Sequence, residues 1–362
     1  MKIAILTSRL DQFAGSEIVA IEAAMHFSAR GHTVTVQANK VSKDIFNIAR
    51  GRFNLQTTPV EISDYDLIWS QHGQFLHNMA NPNLLLNWRG AFISVHLSYY
   101  HPIETYHYPI AKRFSSLRVF NADVTRDLLD GSDQSPDALV LRNAAPLKFH
   151  REPKKYLQKL SRILVVSNHL PSELFDAIKH LDRNGIDVKI IGQKYNSKII
   201  EPRDFSDVQA VISIGKTVQY ALVSGLPVFC YDHFGGPGWL NDSNFERAEY
   251  FNFNGTCSAS KMTSEDIAQY IVSGYEEAFA FSQRKWRYHS DRYNLDRHLD
   301  EILSRNKLNN ISNMSDIEQI DTLRKFAERN IVIEKKLRKN RKIVVYLALL
   351  CVLLFAGVVA KL

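Results

Sequence analysis

Cysteine is scarce, with only Cys230, Cys257 and Cys351 among 362 residues. The three lie far apart, are odd in number and lack metal-cluster spacing, which excludes a disulfide framework and implies a reducing compartment. Internal repeats and low-complexity tracts are absent. Positive charge is scarce where nucleic acid would need it. The formal net charge is +7, but +6 of it lies from residue 331 onward, leaving +1 for the first 330 residues. A nucleic-acid footprint needs a basic stripe on the folded body, and the body offers none. The opening stretch Met1–Thr7 is apolar but too short for a signal peptide, and it passes directly into folded-looking sequence.

Length and composition indicate a globular chain. At 362 residues, with 45% hydrophobic and 23% charged residues, it suits two domains of about 150 residues plus an appendage. The appendage is the exception to the scarcity of long apolar runs. Ile343 to Ala360 is eighteen consecutive uncharged residues, enough to cross a hydrocarbon core of about 30 Å at 1.5 Å per residue. A basic cluster, Lys335–Lys342, precedes it and only Lys361 follows. The positive-inside rule then keeps the N-terminal body in the cytoplasm. The expectation is a single-pass C-terminal anchor in a membrane, the bacterial inner membrane being the expected setting. A buried core helix is the other reading of the run. Before it, 309–340 reads as helix, with a Ser315-x-x-Glu318 capping box and a stripe of Ile317, Ile320, Leu323 and Phe326. A stalk, an interfacial helix, a docking helix for a helical partner and simple packing on the body all remain open.

The body reads as α/β twice over. Lys2–Thr7 is a short apolar run fit for a buried parallel strand. Ser8–Gly15 is a loop, Ser16–Arg30 a helix stopped by Gly31, and Thr33–Ala38 the next strand. Further strands are expected at Asp66–Ser70, Ala91–His96, Leu117–Asn121 and Ala138–Leu141. After a polar linker, His150–Lys159, the pattern restarts. Strands at Arg162–Ser167, Asp187–Gly192, Ala210–Ile214 and Pro227–Tyr231 alternate with helices at Ser172–Arg183 and Thr217–Ser224. Two doubly wound, Rossmann-like halves place their strand C-terminal ends, and so their loops, at a cleft between domains.

Four landmarks, in order, resemble the family-four retaining glycosyltransferases of the GT-B fold. They are Gly15-Ser16-Glu17 with Arg30–Val36, the segment Leu139–Phe149, Val223–Val228, and the closing stretch Trp286–Leu303. The likeness runs over residues 1–303. It implies an N-terminal acceptor domain at 1–150 and a C-terminal donor domain at 151–285. A return helix at 286–308 follows, then a helical stalk at 309–342 and the membrane helix at 343–360. Two departures stand out: the family's ribose-holding glutamate is here Tyr220, and the glutamate eight residues earlier is Ile212. The loop expected to carry a diphosphate-binding Arg and Lys reads Asn168-His169-Leu170-Pro171-Ser172.

Individual motifs fill out this reading. Gly215-Lys216-Thr217 lies between a strand and a helix, where free amides and the helix dipole attract phosphate oxygens. With Ala210 in place of the first P-loop glycine, the motif fits a diphosphate grip for a nucleotide sugar or a tight turn with a solvated lysine, not an ATPase loop. Phe234-Gly235-Gly236-Pro237-Gly238 falls where the resembled family has its donor-sugar loop, with Asp232 at the preceding strand end; a structural loop is the alternative. Asn168 and Tyr220 complete the donor-side candidates. Gly15-Ser16-Glu17 opens the first helix and faces phosphate or acceptor, or supplies an N-cap through Ser16. His96 ends a strand, as a histidine does in relatives with an acceptor-side imidazole, and is the catalytic candidate, with His72 its rival. Tyr99 and Tyr100 offer stacking faces for a sugar or form a packed aromatic loop. No Asp-x-Asp motif stands out, so neither a metal nor a cofactor beyond the nucleotide-sugar donor is expected. The implied activity is retaining sugar transfer onto a lipid-linked or membrane glycan, in surface polysaccharide or glycolipid synthesis. A nucleotide-sugar epimerase on the same fold and a non-catalytic sugar-nucleotide sensor are the alternatives.

Overall fold

The computed structural model describes residues 1–76, 85–131, 135–152, 159–305 and 308–359, with the side chains of 334, 335, 338 and 340–359 outside that description. The first half builds one sheet. In chain order its elements are β1 (Lys2–Thr7), α1 (Gly15–Ala29), β2 (Thr33–Ala38), α2 (Lys43–Ala49), β3 (Asn54–Gln56), β4 (Leu67–Gln71) and β5 (Ala91–His96). Then come α3 (Pro102–Thr105), α4 (Tyr108–Phe114), β6 (Leu117–Phe120), α5 (Asp123–Leu129) and β7 (Ala138–Val140). The sheet is all parallel, in the order β3-β2-β1-β4-β5-β6-β7. β4, β5 and β6 are buried at every position, as strands covered on both faces must be. Helix α1 buries Val19, Ala20, Ile21, Ala23, Ala24 and Phe27, and Gly31 ends it at φ +82°.

The second half carries a five-stranded sheet, β12-β11-β10-β8-β9. Its elements are β8 (Arg162–Val166), α6 (Ser172–Arg183), β9 (Asp187–Ile191), β10 (Ala210–Ser213), α7 (Lys216–Val223), β11 (Val228–Asp232) and β12 (Gly235–Trp239). Helices α8 (Phe245–Tyr250), α9 (Ser264–Ser273), α10 (Tyr275–Arg292), α11 (Leu295–Ser304) and α12 (Met314–Val359) follow. Most of the expected linker, 153–158, lies outside the described residues. The glycine-rich segment after β11 is not the loop the sequence indicated. Gly235 and Gly236 open β12, which returns antiparallel on β11. A Cβ on Gly235 would sit 2.1 Å from the Ser260 carbonyl oxygen, and one on Gly236 2.1 Å from that of Cys230. Close backbone packing is what these glycines serve.

The chain returns to the first sheet through α11. Ala145 N donates to Tyr293 O at 2.8 Å and Leu295 N donates to Ala145 O at 3.0 Å, so outgoing and returning segments pair side by side. On α1, His26 sits between Asp296 at 3.1 Å and Asp300 at 2.9 Å. Helix α12 starts two residues earlier than the capping box read from the sequence would place it. Asn313 Oδ1 accepts from Asp316 N at 3.0 Å, and Asp316 Oδ2 accepts from Asn313 N at 3.3 Å. Ser315 and Glu318 are therefore not its cap. Ile317, Ile320 and Ala327 are buried, the first two in the cluster of Phe75, Phe92, Ile110 and Phe114. Of the readings open for 309–340, packing on the body holds over this first part. Phe326, the last residue of the expected stripe, is exposed. Among the described residues no helix is long and apolar enough to cross a membrane; the side chains of the expected span, 343–360, lie outside them.

Candidate ligand cleft between the two sheets

Both sheets present strand C-terminal ends to one cleft of about 480 Å³. Each end is a point where strand order reverses: β1 lies between β2 and β4, and β8 between β9 and β10. Open α/β sheets bind ligands at such crevices. Two helix N-termini line the cleft, one from each half. Ala14, Gly15 and Ser16 of α1 contribute from one wall, Gly215, Lys216 and Thr217 of α7 from the other. The first N–H groups of a helix have no intrahelical partner, and the dipole adds partial positive charge there. Gly215, the N-cap of α7, has φ 58° and ψ −138°, a conformation open essentially to glycine alone. Gly215→Ala is therefore expected to cost about 1–3 kcal/mol, visible as a lower midpoint in urea unfolding.

The side chains behind this frame are more committed than the sequence indicated. Lys216 Nζ lies 2.7 Å from Glu22 Oε2 and 3.0 Å from Ala144 O, so most of its donor capacity bridges the two halves and it is not a free point charge. Tyr220 lines the cleft, but its hydroxyl donates to Glu22. Its ring stacks on Phe149 at 4.1 Å and 5°. Burial, reinforced by the Glu22 carboxylate, holds the Tyr220 phenol well above its ordinary pKa. Asp232 also lines the cleft and is spent on the fold: Oδ1 accepts from Phe234 N at 2.7 Å and Oδ2 from Gly255 N at 2.9 Å. Asn168 lines it with Oδ1 accepting from Gln193 N at 3.1 Å.

Not every site residue indicated by the sequence reaches the cleft. Ser16 is no N-cap; Ala14 is, and Ser16 Oγ donates to Glu17 Oε2 at 2.8 Å. Glu17 is buried behind it, and desolvation raises its carboxyl pKa. His96 points away from the cleft. Strand residues alternate faces, so His96 shares the Phe92 and Ser94 face, on a pinhole of about 10 Å³. There its Nδ1 is 3.4 Å from Glu104 Oε2 and its Nε2 is 2.9 Å from Ser94 Oγ. It has no room for a substrate. His72 belongs to the same buried group, 4.0 Å from Glu104 and bonded to Ser8 Oγ at 3.0 Å; burial lowers its pKa. Tyr99 and Tyr100 pack edge to face at 5.3 Å outside the cleft, with Tyr100 exposed. Gly235 and Gly236 are held in β12.

The structure adds residues that sequence reasoning passed over. Glu22 joins Lys216 and Tyr220, and Asn143 Nδ2 donates to Asn252 Oδ1 at 2.9 Å on the cleft wall. Asn121 follows β6 directly and lines the N-terminal wall. A polar residue just past a buried strand, at the crevice side of the sheet, was the available signal for Asn121. Nothing local marks Glu22, whose partners lie in the other half.

No protein-family model matches the chain, and no curated protein matches it in sequence. Solved structures do. HepE from Anabaena, in complex with UDP and glucose, superposes with a TM-score of 0.54 at 14% identity, covering 84% of this chain and 99% of that one. Sucrose-phosphate synthase from Thermosynechococcus elongatus gives 0.52 at 9%, covering 84% and 98%. A glycosyltransferase from Rickettsia africae gives 0.50 at 12%, covering 84% and 97%. At these identities the shared property is the fold: this chain has the two-sheet GT-B architecture of these glycosyltransferases.

Proposed function

We propose that this chain is a glycosyltransferase that moves a sugar from a nucleoside-diphosphate donor to a membrane-associated glycan or glycolipid. The observation that carries the reading is the meeting of two helix N-termini, Gly15–Ser16 and Gly215–Thr217, across one cleft of about 480 Å³. Unpaired backbone amides aimed at one space are suited to a diphosphate, in the ground state and as it departs. The HepE structure, with UDP and glucose bound to the same fold, supports the nucleotide-sugar assignment. In this proposal the amides of Lys216 and Thr217 and the Thr217 hydroxyl hold the diphosphate. Transfer proceeds with retention and without a protein-bound metal, the helix termini stabilising the leaving group. The uncharged run 343–360 with its basic prelude anchors the body on the cytoplasmic face, where tethering raises the effective concentration of a lipid-linked acceptor.

The test is a thermal-shift screen of UDP, GDP, ADP and TDP and their sugar conjugates on the whole chain, followed by radiolabel transfer with membrane extract. A ligand that binds only the native state raises the melting temperature, by an amount equivalent to about 2.7 kcal/mol at a hundred times its Kd. We expect one base to give the largest shift and its sugar conjugate to label lipid-extractable material. A flat screen across all pairs refutes the assignment. Binding without turnover in any extract instead favours a sugar-nucleotide sensor, a reading motivated by the commitment of Asp232 and Tyr220 to the fold.

A further inference from the structure

Asn121 holds the cleft's one orphaned acceptor among the described residues. It sits immediately after β6, lines the N-terminal wall and is only 8% exposed. Its amide orientation is fixed, because Nδ2 donates to Leu97 O at 2.9 Å while its backbone N donates to His96 O at 3.1 Å. That leaves Oδ1 as an acceptor, buried and without a hydrogen-bond partner. A buried acceptor left unmade carries the full desolvation penalty of the group, so a ligand that supplies a donor there gains more than an ordinary exchange with water. The carboxylate on the same cleft, Asp232, already accepts from Phe234 N and Gly255 N.

We infer that Asn121 is a sugar-recognising residue of this cleft, its Oδ1 accepting a hydrogen bond from a hydroxyl of the transferred sugar; this rests on the nucleotide-sugar reading above. The placement fits that division of labour. The diphosphate belongs to the helix N-termini, whose free backbone N–H groups are donors. A sugar hydroxyl that must donate needs an acceptor, and Asn121 Oδ1 is the buried acceptor on the N-terminal wall that no protein group satisfies. Because that acceptor is a neutral amide, it does not repel the adjacent diphosphate as a carboxylate would.

The experiment compares nucleoside diphosphates with their sugar conjugates (UDP with UDP-glucose, GDP with GDP-mannose, ADP with ADP-glucose, TDP with TDP-glucose). Binding is measured by calorimetry on the native chain, Asn121→Ala and Asn121→Ser. For the pair that binds best, Asn121→Ala is expected to weaken the sugar conjugate about five-fold or more, while the bare diphosphate changes less than two-fold. Asn121→Ser, which restores a small acceptor, should recover part of the loss and guards against a misfolded alanine variant. Equal loss for both members of the pair would assign Asn121 a structural role and overturn the inference, as would no loss for either. Absence of binding by every pair on the native chain would instead remove the nucleotide-sugar reading, and this inference with it.

Discussion

Glu22→Ala is expected to destabilise the protein by about 3–5 kcal/mol, measured as a lower midpoint in urea unfolding. The reason is the company Glu22 keeps. Its carboxylate lies 2.7 Å from Lys216 Nζ and accepts from the Tyr220 hydroxyl, and the Glu22 and Lys216 side chains are 10% and 8% exposed. Removing the carboxylate strands a nearly buried ammonium with Ala144 O as its close remaining partner, and leaves a buried phenol without its acceptor. An uncompensated buried charge costs far more than the pair itself contributes. Replacing both charged groups should therefore hurt less than the single changes add up to. Glu22→Gln combined with Lys216→Met is expected to show a coupling of about 1–3 kcal/mol in a double-mutant cycle by urea unfolding. A cost below about 1 kcal/mol for Glu22→Ala would show that the bridge is open to water in solution.

The same bridge bears on the cleft. Lys216 is the first residue of α7, and Glu22 lies on α1, so one ion pair fixes the relative placement of the two helix N-termini that face the ligand. Gln219 adds a bond from Nε2 to Arg142 O at 2.9 Å, and Ser224 Oγ donates to Phe149 O at 2.8 Å. The face of α7 toward the crossing segment is thus bolted along its length. Preorganised amides are effective only if they do not have to move when charge develops, and these contacts hold one of the two sets.

Much of this was legible in the sequence because it is local. Short apolar runs ended by polar loops gave the strands, and Gly31 and Gly225 marked helix ends; both adopt positive φ as that role requires. What was not legible depends on contacts between distant segments. Gly235 and Gly236 read as a ligand loop, since nothing in sequence announces that Ser260 and Cys230 carbonyls will press on them. Lys216 read as a free cation because Glu22 lies in the other half of the chain. His96 is the instructive miss, since alternation was available. Ile93 and Val95 belong to the cluster shared with α1, while Phe92 packs in the opposite one, so an imidazole at 96 falls on the Phe92 face, away from the cleft. The capping box at the start of α12 was misplaced for a different reason: Asn313 and Asp316 fit the cap as well as Ser315 and Glu318, and the packing of Ile311 and Ile317 selects between them.

His289 provides the other large effect, one that appears only in acid. It lies in α10 with no exposed surface, stacked 4.9 Å from Phe245 and flanked by Phe281 and Tyr293. Neither ring nitrogen has a hydrogen-bond partner. Desolvation, with smaller repulsion from Lys285 and Arg292, lowers its pKa from 6.5 to about 3. The folded chain therefore keeps His289 neutral through the pH range in which the unfolded chain protonates it. Between pH 6.5 and about 3 the unfolded state binds the extra proton, so stability from this residue is complete above 6.5 and is lost as pH falls. Each pH unit below 6.5 costs about 1.4 kcal/mol, or about 2.7 kcal/mol at pH 4.5. His289→Phe removes the titration while keeping a ring among rings. Urea unfolding at pH 7.5 and pH 4.5 should show the native chain losing about 2–3 kcal/mol more than the variant between the two conditions. Equal losses would mean that water reaches the imidazole and that the aromatic cage around it opens before the protein unfolds.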